Sequence, residues 1–234
     1  PAALSDALRF TARAGVHNVQ KGVLTLTNST EAGAVYSPAE VAELAGIARA
    51  ADVPVHMDGA RYANALVASN ASAAEMTWKA GVDALSFGGT KNGLMGVEAV
   101  ILFDPAKAWE LELRRKRGGH LFSMHRFLSA QMDAYLEDGL WLSMASHANR
   151  LAARLSAGIV AAGGSLMHPT QANAVFAAWP CVKHKTAQAK GAAYYLWPAH
   201  QSLEGPDDAL VSARLVTAWC TQAEEVDGLL KLLA

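Results

Sequence analysis

Two residues of this sequence, Asp58 and Lys91, are of the types that support chemistry at a carbonyl group. Lys91 lies among glycines in the segment SFGGTKNG, and Asp58 directly follows the apolar segment VPVHM. A lysine that forms an imine with an aldehyde, and a carboxylate that keeps a pyridinium ring protonated, are the minimum protein equipment for pyridoxal phosphate (PLP). Arg61 follows closely and could donate to the phenolic oxygen of the same cofactor. The pattern therefore predicts a PLP site for amino-acid chemistry.

Each of these residues also has a structural interpretation. A lysine in a Gly-rich loop is usually solvated, an Asp-Gly pair commonly caps backbone N–H groups in a turn, and Arg61 could form a salt bridge with Asp58. A phosphate-loop interpretation of Lys91 fails, because that pattern requires Ser or Thr directly after the lysine. His56 should point to the opposite side of its strand from Met57 and is interpreted as a core residue.

The elements predicted around these residues alternate between strands and helices. Strands are predicted at residues 21–28, 52–57, 83–87 and 98–103, and helices at residues 3–14, 38–51, 60–68 and 72–80. Ser37 and Glu40 form a capping-box signal at the start of the second helix, and Gly81 is expected to end the fourth. This alternation predicts an α/β class with a parallel sheet, where ligands bind at the carboxyl ends of strands. Asp58 and Lys91 both fall just past such ends.

The remainder of the chain is predicted to be helical and then mixed. A basic helix at 109–117 is followed by a helical region at 122–162 that is interrupted near Gly139. The apolar runs and the last helix beyond it indicate a small α+β domain, with segments at 174–179, 193–197, 213–218 and 222–233.

The composition limits the kinds of partner. Of 234 residues, 52% are hydrophobic and 18% are charged, which is ordinary for a globular protein. Lys and Arg number 20 against 21 Asp and Glu, so no whole-chain field favours nucleic acid or an anionic membrane. Cys181 and Cys220 indicate neither a disulfide framework nor a metal site. We expect a cytoplasmic protein, without a membrane span or metal, that binds a small molecule or another copy of itself.

Four segments together carry a resemblance to a known family: TEAGAVYSPAEVAEL, HMDGARYANAL, EMTWKAGVDALSFGGTKNG and SARLVTAWCT. They resemble the low-specificity L-threonine aldolases, including the phenylserine aldolase branch. These are PLP-dependent enzymes with the aspartate aminotransferase fold (fold type I, PLP-dependent transferase-like). The resemblance runs from about residue 25 to the end of the chain. It implies cleavage of β-hydroxy-α-amino acids such as threonine and phenylserine to glycine and an aldehyde.

The resemblance also implies roles for individual residues. Lys91 matches the Schiff-base lysine and Asp58 the partner of the pyridine nitrogen. Arg61 matches the residue beside the phenolic oxygen of the cofactor. Arg214, in SARLVTAW, matches the arginine that binds the substrate α-carboxylate, a planar contact that lysine would imitate poorly. Without the family pattern, Arg214 would be interpreted as a surface cation at the start of a strand.

Three further residues are carried over on the same basis. Lys116 and Arg126 match basic residues that reach the cofactor phosphate of a neighbouring subunit, which implies a homodimer or homotetramer. Glu31 lies in a loop where one branch of the family has a histidine, and it is a candidate base or water-holding residue. The alternatives are a solvated basic helix end for Lys116 and Arg126 and simple exposure for Glu31.

The resemblance further predicts how the chain is organised. Residues 1–108 would be the C-terminal part of the PLP-binding large domain, residues 109–150 linking helices, and residues 151–234 a small α+β domain. The phosphate cup and the ring-stacking histidine of the family are not found before Lys21, so we expect an N-terminally incomplete chain. Two other functions stay open: a β-eliminating lyase or glycine hydroxymethyltransferase that depends on PLP, and a catalytically inactive domain used for assembly or binding.

Overall fold

The computed structural model describes residues 1–13 and 15–234, which form two compact units. The first unit contains Pro1–Asn28 and Tyr36–Leu140, and the second contains Ser29–Val35 and Trp141–Ala234. Each unit has its own four-stranded sheet. The mainly parallel sheet of the first unit and the α+β character of the second confirm the predicted fold class. The domain boundaries at residues 108 and 150 stay a prediction.

The sheet of the first unit has the order β1-β2-β3-β4. Its strands are β1 (Leu24–Thr27), β2 (Val55–Gly59), β3 (Ala84–Gly88) and β4 (Glu98–Leu102). Strands β1, β2 and β3 are parallel, whereas β4 runs antiparallel to β3. The reason is the connection: residues 89–97 are too few for the crossover of a dozen or more residues that a parallel neighbour requires. The predicted parallel sheet therefore ends in one antiparallel edge strand.

The helices of the first unit follow the predicted pattern closely. They are α1 (Ala2–Ala12), α2 (Pro38–Ala50), α3 (Tyr62–Ser69), α4 (Ala73–Met76), α5 (Ala108–Arg117) and α6 (Arg126–Leu136). The predicted helix at residues 3–14 corresponds to α1, and Ala14 itself lies outside the described residues. The predicted helix at 72–80 is instead divided at Thr77, whose side chain donates to the Ala73 carbonyl within the same turn. Such a bond back to the helix commonly bends it.

The start of α2 has the predicted capping box. Ser37 Oγ accepts a hydrogen bond from the Glu40 N–H, and the Glu40 carboxylate accepts from the Ser37 N–H and hydroxyl. These hydrogen bonds from Ser37 hold the pKa of Glu40 below its usual value. The cap fixes where α2 begins, and α2 packs against β1 and β2.

The two faces of the first sheet differ in burial. In β2, Val55, Met57 and Gly59 are buried, whereas His56 and Asp58 are half-buried. Because side chains alternate along a strand, His56 and Asp58 share one face. This more open face of the sheet, here called the open face, is therefore where Asp58 lies.

The second unit is built around an antiparallel sheet with the order β5-β6-β8-β7. Its elements are α7 (Leu140–Ala161, which starts at the last residue of the first unit), β5 (Ser165–Leu166), β6 (Ala174–Pro180), α8 (Cys181–Ala189), β7 (Tyr195–Leu196), β8 (Leu210–Val216) and α9 (Ala223–Leu233). The predicted interruption near Gly139 is present: Asp138 has a positive φ of 48° directly before it. No helix in the described part of the chain is long and apolar enough to cross a membrane.

The core of the second unit lies between its helices and one face of the sheet. Residues of α7 and α9 meet alternate residues of β6 and β8 there, namely Leu151, Leu155, Ile159, Val175, Ala177, Trp179, Ala213, Leu215, Val226 and Leu233. The opposite face carries the intervening residues, including Phe176 and Arg214, because successive strand residues alternate between faces.

The polar residue His184 is buried beside this core. His184 of α8 stacks on Trp179, with ring centroids 4.2 Å apart and planes at 9°. Its Nε2 bonds to the Val211 carbonyl at 2.9 Å, and its Nδ1 and the Tyr194 hydroxyl are 3.0 Å apart. A carbonyl only accepts, so Nε2 carries the hydrogen, and Nδ1 accepts from Tyr194. Burial lowers the pKa of His184, which favours this neutral form.

Candidate active site

Asp58 closes a turn at the end of β2. Its Oδ1 accepts a hydrogen bond of 3.0 Å from the backbone N–H of Ala60. This contact is typical of an Asp-Gly turn and leaves the second carboxylate oxygen without a hydrogen bond to any described residue. The residue is half-buried, because it lies on the open face. The sequence predicted a position just past the strand, whereas Asp58 lies within β2.

Ala60, the residue after β2, touches Gly88, the last residue of β3, because a glycine lets the two backbones meet. A Cβ atom added to Gly88 would lie 2.7 Å from the Ala60 carbonyl oxygen and 2.8 Å from Ala60 Cα. Any side chain at Gly88 would therefore have to push the Ala60 backbone away. The contact brings the segment that carries Asp58 beside the segment that carries Lys91.

Lys91 is exposed and lies on a 3-10 turn, Thr90–Asn92, close after β3. The carboxylate of Glu98, the first residue of β4, accepts hydrogen bonds from the N–H groups of Gly89 (3.1 Å) and Thr90 (3.2 Å). The first N–H groups of a helical turn have no partner within it, so Glu98 supplies one. Glu98 thus fixes the start of the turn that presents Lys91.

Asn92 anchors the other end of this turn. It is buried, and its Nδ2 donates a hydrogen bond of 2.6 Å to the hydroxyl of Tyr135 in α6. Burial raises the pKa of Tyr135. Sequence reasoning missed both Glu98 and Asn92, because the sequence does not show which groups their side chains contact. The one available signal was the acidic residue Glu98 at the start of the strand that follows a glycine-rich turn.

A polar network lies on the open face beside Asp58. The ring of His56 bonds to the Ser86 hydroxyl through Nε2 at 2.9 Å and to the Thr25 hydroxyl through Nδ1 at 3.4 Å. His56 points away from Met57, as predicted. It is half-buried, however, and the interpretation of His56 as a core residue is wrong, because the face it shares with Asp58 is the open one.

The other basic candidate residues of the first unit, Arg61, Lys116 and Arg126, lie at helix ends. Arg61 is half-buried and begins α3, where its carbonyl accepts from the Ala65 N–H at 3.1 Å. Lys116 lies exposed in the last turn of α5. Arg126 is exposed at the start of α6, with its guanidinium 4.9 Å from the centre of the Phe127 ring. The role of Lys116 and Arg126 at a neighbouring subunit's phosphate stays a prediction.

In the second unit, Arg214 lies in β8, opposite Phe176 of β6 and Tyr195 of β7. Its guanidinium carbon lies 5.8 Å from the Phe176 ring centre and 5.9 Å from that of Trp197. The residue is half-buried, and its Nε is fully buried without a hydrogen-bond partner in the part of the chain that the structure describes. Arg214 is therefore not a fully exposed cation at a strand start. Its buried N–H is a donor that a bound ligand could satisfy.

Glu31 lies in the second unit, within the loop Ser29–Val35. The Thr30 carbonyl closes a turn by accepting from the Gly33 N–H at 2.9 Å. Gly33 has a φ of +77°, and a Cβ atom there would be 3.4 Å from Phe176. The turn thus packs against Phe176, whereas Glu31 is exposed. Its role as a base stays a prediction.

The predicted residues thus form two groups. Asp58, Arg61 and Lys91 lie in adjoining segments of the first unit, and Glu31 and Arg214 lie in the second. No cluster of three or more metal-ligating side chains occurs among the residues described. An amine, a carboxylate and a guanidinium at the carboxyl ends of neighbouring strands suit a pyridine aldehyde such as PLP.

The fold is that of the PLP-dependent enzymes of fold type I. The structure is similar to a threonine aldolase from Leishmania major, with a TM-score of 0.86 and 25% sequence identity, over 99% of this chain and 65% of that one. It also resembles the serine palmitoyltransferase of Sphingomonas wittichii in fold alone, with a TM-score of 0.65 and 14% identity over 98% of this chain and 57% of that one.

Residues 1–180 match the family described as beta-eliminating lyase, and the chain belongs to that family. It is 40% identical over 229 residues to the low specificity L-threonine aldolase of Pseudomonas aeruginosa, which covers 97% of this chain and 62% of the relative. It is 43% identical over 165 residues to the enzyme of the same name from Pseudomonas sp. strain NCIMB 10558, covering 70% of this chain and 48% of the relative. The chain therefore spans less than two thirds of these relatives' lengths.

Proposed function

We propose that this chain belongs to a PLP-dependent aldehyde-lyase of the threonine aldolase type. Its substrates would be small β-hydroxy-α-amino acids such as threonine and phenylserine, which it would cleave to glycine and an aldehyde. The observation that carries the proposal is the backbone contact between Gly88 and Ala60, which puts the Lys91 segment beside the Asp58 segment. The names of the two Pseudomonas relatives favour this reaction among those known for the fold.

The residues of the first unit fit PLP. Asp58 has one carboxylate oxygen held by Ala60 and a second available to keep a proton on the pyridine nitrogen. Lys91 offers an exposed amine on a turn that Glu98 holds at its start. Arg61, which follows Asp58 closely in the sequence, would donate to the phenolic oxygen of the cofactor. When bound, PLP supplies an electron sink for the carbanion that remains on the α-carbon after cleavage.

The other residues would bind and orient the substrate. The Arg214 guanidinium would hold the α-carboxylate through two parallel N–H contacts and so fix the orientation of the Cα–Cβ bond. Glu31 would take the proton of the β-hydroxyl group, directly or through water. Lys116 and Arg126 would reach the phosphate of a neighbouring subunit's cofactor in a homodimer or homotetramer. We place the enzyme in the cytoplasm from its cysteine usage.

The Lys91 assignment can be tested by borohydride reduction of the PLP-loaded protein and peptide mapping. We expect the label on Lys91 and its loss, together with the visible absorbance band of the cofactor, in Lys91→Ala. Lys79→Ala is a matched control, because Lys79 is an exposed lysine on another 3-10 turn of the same unit. A Lys91→Ala protein that is still labelled at another lysine would contradict the assignment.

A β-eliminating activity is the second candidate, because the family match bears that description. The two reactions differ in products. Retro-aldol cleavage of phenylserine yields glycine and benzaldehyde, whereas β-elimination of serine yields pyruvate and ammonia. We expect the first set of products. Pyruvate from serine without glycine from phenylserine would favour the second candidate, and neither product from a PLP-loaded protein would favour an inactive domain.

A further inference from the structure

Arg214 lies on the face of the second sheet that the helices do not cover. The register places Phe176 directly opposite it on one side and Tyr195 directly opposite it on the other. Paired residues of an antiparallel sheet point to the same face, so aromatic side chains flank Arg214 across both neighbouring strands. Aromatic side chains thus flank Arg214, although a guanidinium does not need aromatic neighbours to bind a carboxylate.

Two of the nearby rings lie against the cation. The guanidinium carbon is 5.8 Å from the centre of the Phe176 ring and 5.9 Å from that of the Trp197 ring. The two rings are themselves 5.9 Å apart at 68°, so they form an edge-to-face corner. Both distances lie within the range of a cation–π interaction. The rings attract the cation but do not accept hydrogen bonds from the N–H groups in the plane of the guanidinium.

Both rings are held by their surroundings. Phe176 is only 1% exposed, and the ring of His168 lies 5.6 Å from it. Trp197 is 38% exposed, but its backbone is bound to β8: its N–H donates to the Ser212 carbonyl at 2.8 Å, and its carbonyl accepts from the Ser212 hydroxyl at 2.5 Å. Gln201 bonds to Ser212 through both ends of its amide, at 2.7 and 2.9 Å. The strand that carries Arg214 therefore also fixes the backbone of the residue whose ring lies beside it.

One N–H donor of Arg214 has no acceptor. The Nε atom is buried and has no hydrogen-bond partner among the described residues. The edge that includes Nε is one of those that can pair with a carboxylate through two parallel bonds. The guanidinium lies against ring faces and has no acceptor at Nε. This arrangement suits a planar anion that arrives from outside the chain.

We propose that Phe176 and Trp197 are positioning residues for Arg214: their rings hold the guanidinium plane so that its N–H edge meets the substrate carboxylate. This inference rests on the proposed role of Arg214 in carboxylate binding. It predicts that loss of a ring weakens ligands that bear a carboxylate and spares amines that lack one. A ring that merely supported folding would not discriminate between the two.

The test is a spectral titration of the full, PLP-loaded chain with glycine and, separately, with methylamine. For Trp197→Leu we expect glycine affinity to fall about tenfold, as expected for loss of a partly desolvated cation–π contact, with methylamine affinity unchanged. Trp197→Phe should retain most of the glycine affinity. Tyr195→Leu is the matched control, because Tyr195 also lies beside Arg214 but is 86% exposed.

A double-mutant cycle separates this inference from the function on which it rests. In an Arg214→Ala background, Trp197→Leu should cause no further loss of glycine affinity. If Arg214→Ala alone leaves glycine affinity unchanged, the carboxylate role of Arg214 is wrong and the inference falls with it. If Arg214→Ala weakens glycine but Trp197→Leu does not, or weakens methylamine equally, only the positioning role is overturned. Unchanged circular dichroism of Trp197→Leu confirms that the fold is intact.

Discussion

Gly88 is the residue on which the geometry of the proposed cofactor site most depends. Its Cα lies so close to Ala60 that even a methyl group would meet the carbonyl oxygen at 2.7 Å. The three atoms nearest to that position, two of Ala60 and the carbonyl oxygen of Gly59, all belong to the backbone, which cannot rotate away as a flexible side chain would. A substitution here would therefore act on the spacing between the ends of β2 and β3 and leave the reactive side chains themselves unchanged.

We expect Gly88→Ala to lower the free energy of unfolding by about 1–3 kcal/mol, the usual effect of overpacking, and to weaken PLP binding. Urea unfolding and cofactor titration by absorbance would measure the two effects. Gly46→Ala is the control, because Gly46 lies in α2 with nothing within 4 Å of an added Cβ and should gain about 0.5–1 kcal/mol. Undiminished PLP affinity in Gly88→Ala would show that the contact between Gly88 and Ala60 is dispensable.

At the residue scale, the sequence predicted where Asp58 and Lys91 lie but not which residues hold their segments in place. Asp58 and Lys91 were placed at neighbouring strand ends by a general property of parallel sheets. Glu98 could not be assigned to the Lys91 turn, because its role depends on the antiparallel return of β4. The rings beside Arg214 likewise depend on the register between strands that are far apart in the chain.

At the scale of elements, α2 shows how a few local signals fix a helix. Ser37 and Glu40 satisfy each other's backbone groups, and Pro38 has the backbone angle that a first helical residue needs. The helix begins at the predicted residue and ends within one residue of the predicted end. Local capping therefore determines where α2 begins, independently of the sheet.

We expect Ser37→Ala to destabilise the first unit by about 1 kcal/mol near neutral pH, because it removes the cap, while Ser37→Thr should retain most of the stability. The backbone N–H of Ser37 and, second, its hydroxyl lower the pKa of Glu40, so their stabilisation is present above the unfolded value of 4.5 and is lost as the pH falls through the folded value. Ser37→Ala removes only the part that the hydroxyl contributes. Urea unfolding at neutral and at acidic pH would measure the difference. An equal deficit of Ser37→Ala at both would contradict this linkage.

Two elements of the second unit were not predicted. β5 has only two residues, both exposed, which is too short for any alternation to be recognised. α8 begins directly after Pro180 without a side-chain cap, and its sequence CVKHKTAQA has few large apolar residues. Tertiary packing of the buried Cys181, His184 and Ala187 decides that this segment is helical. Such packing cannot be deduced from local propensity.

At the scale of the whole molecule, the two units differ in their response to acid. In the first unit, the pKa values of Glu40 and Glu75 are lowered by hydrogen bonds from capping serines, so the stability that these two carboxylates contribute is lost only below the unfolded value of 4.5. In the second unit, burial lowers the pKa of His184 below 6.5, so the unfolded chain binds a proton that the folded chain does not. The second unit should therefore begin to lose stability at a higher pH than the first.

We expect the stability of the second unit to fall as the pH drops below about 6.5 and again as it rises above about 10, because burial raises the pKa of Tyr194 to about 12. Thermal unfolding followed by circular dichroism across this range would trace both limbs. His184→Gln should flatten the acid limb and Tyr194→Phe the alkaline one, with the exposed Tyr195→Phe as control. An acid limb that is unchanged in His184→Gln would refute the assignment.

The carboxylate of Glu98 has a consequence for the isotope exchange of the backbone. The amide hydrogens of Gly89 and Thr90 are bound by this one side chain and not by a neighbouring strand. Their protection against solvent deuterium therefore depends on the negative charge of a single carboxylate, unlike that of amides within the strand ladder. The exchange rates of these two amides thus report directly on how firmly the lysine-bearing turn is closed.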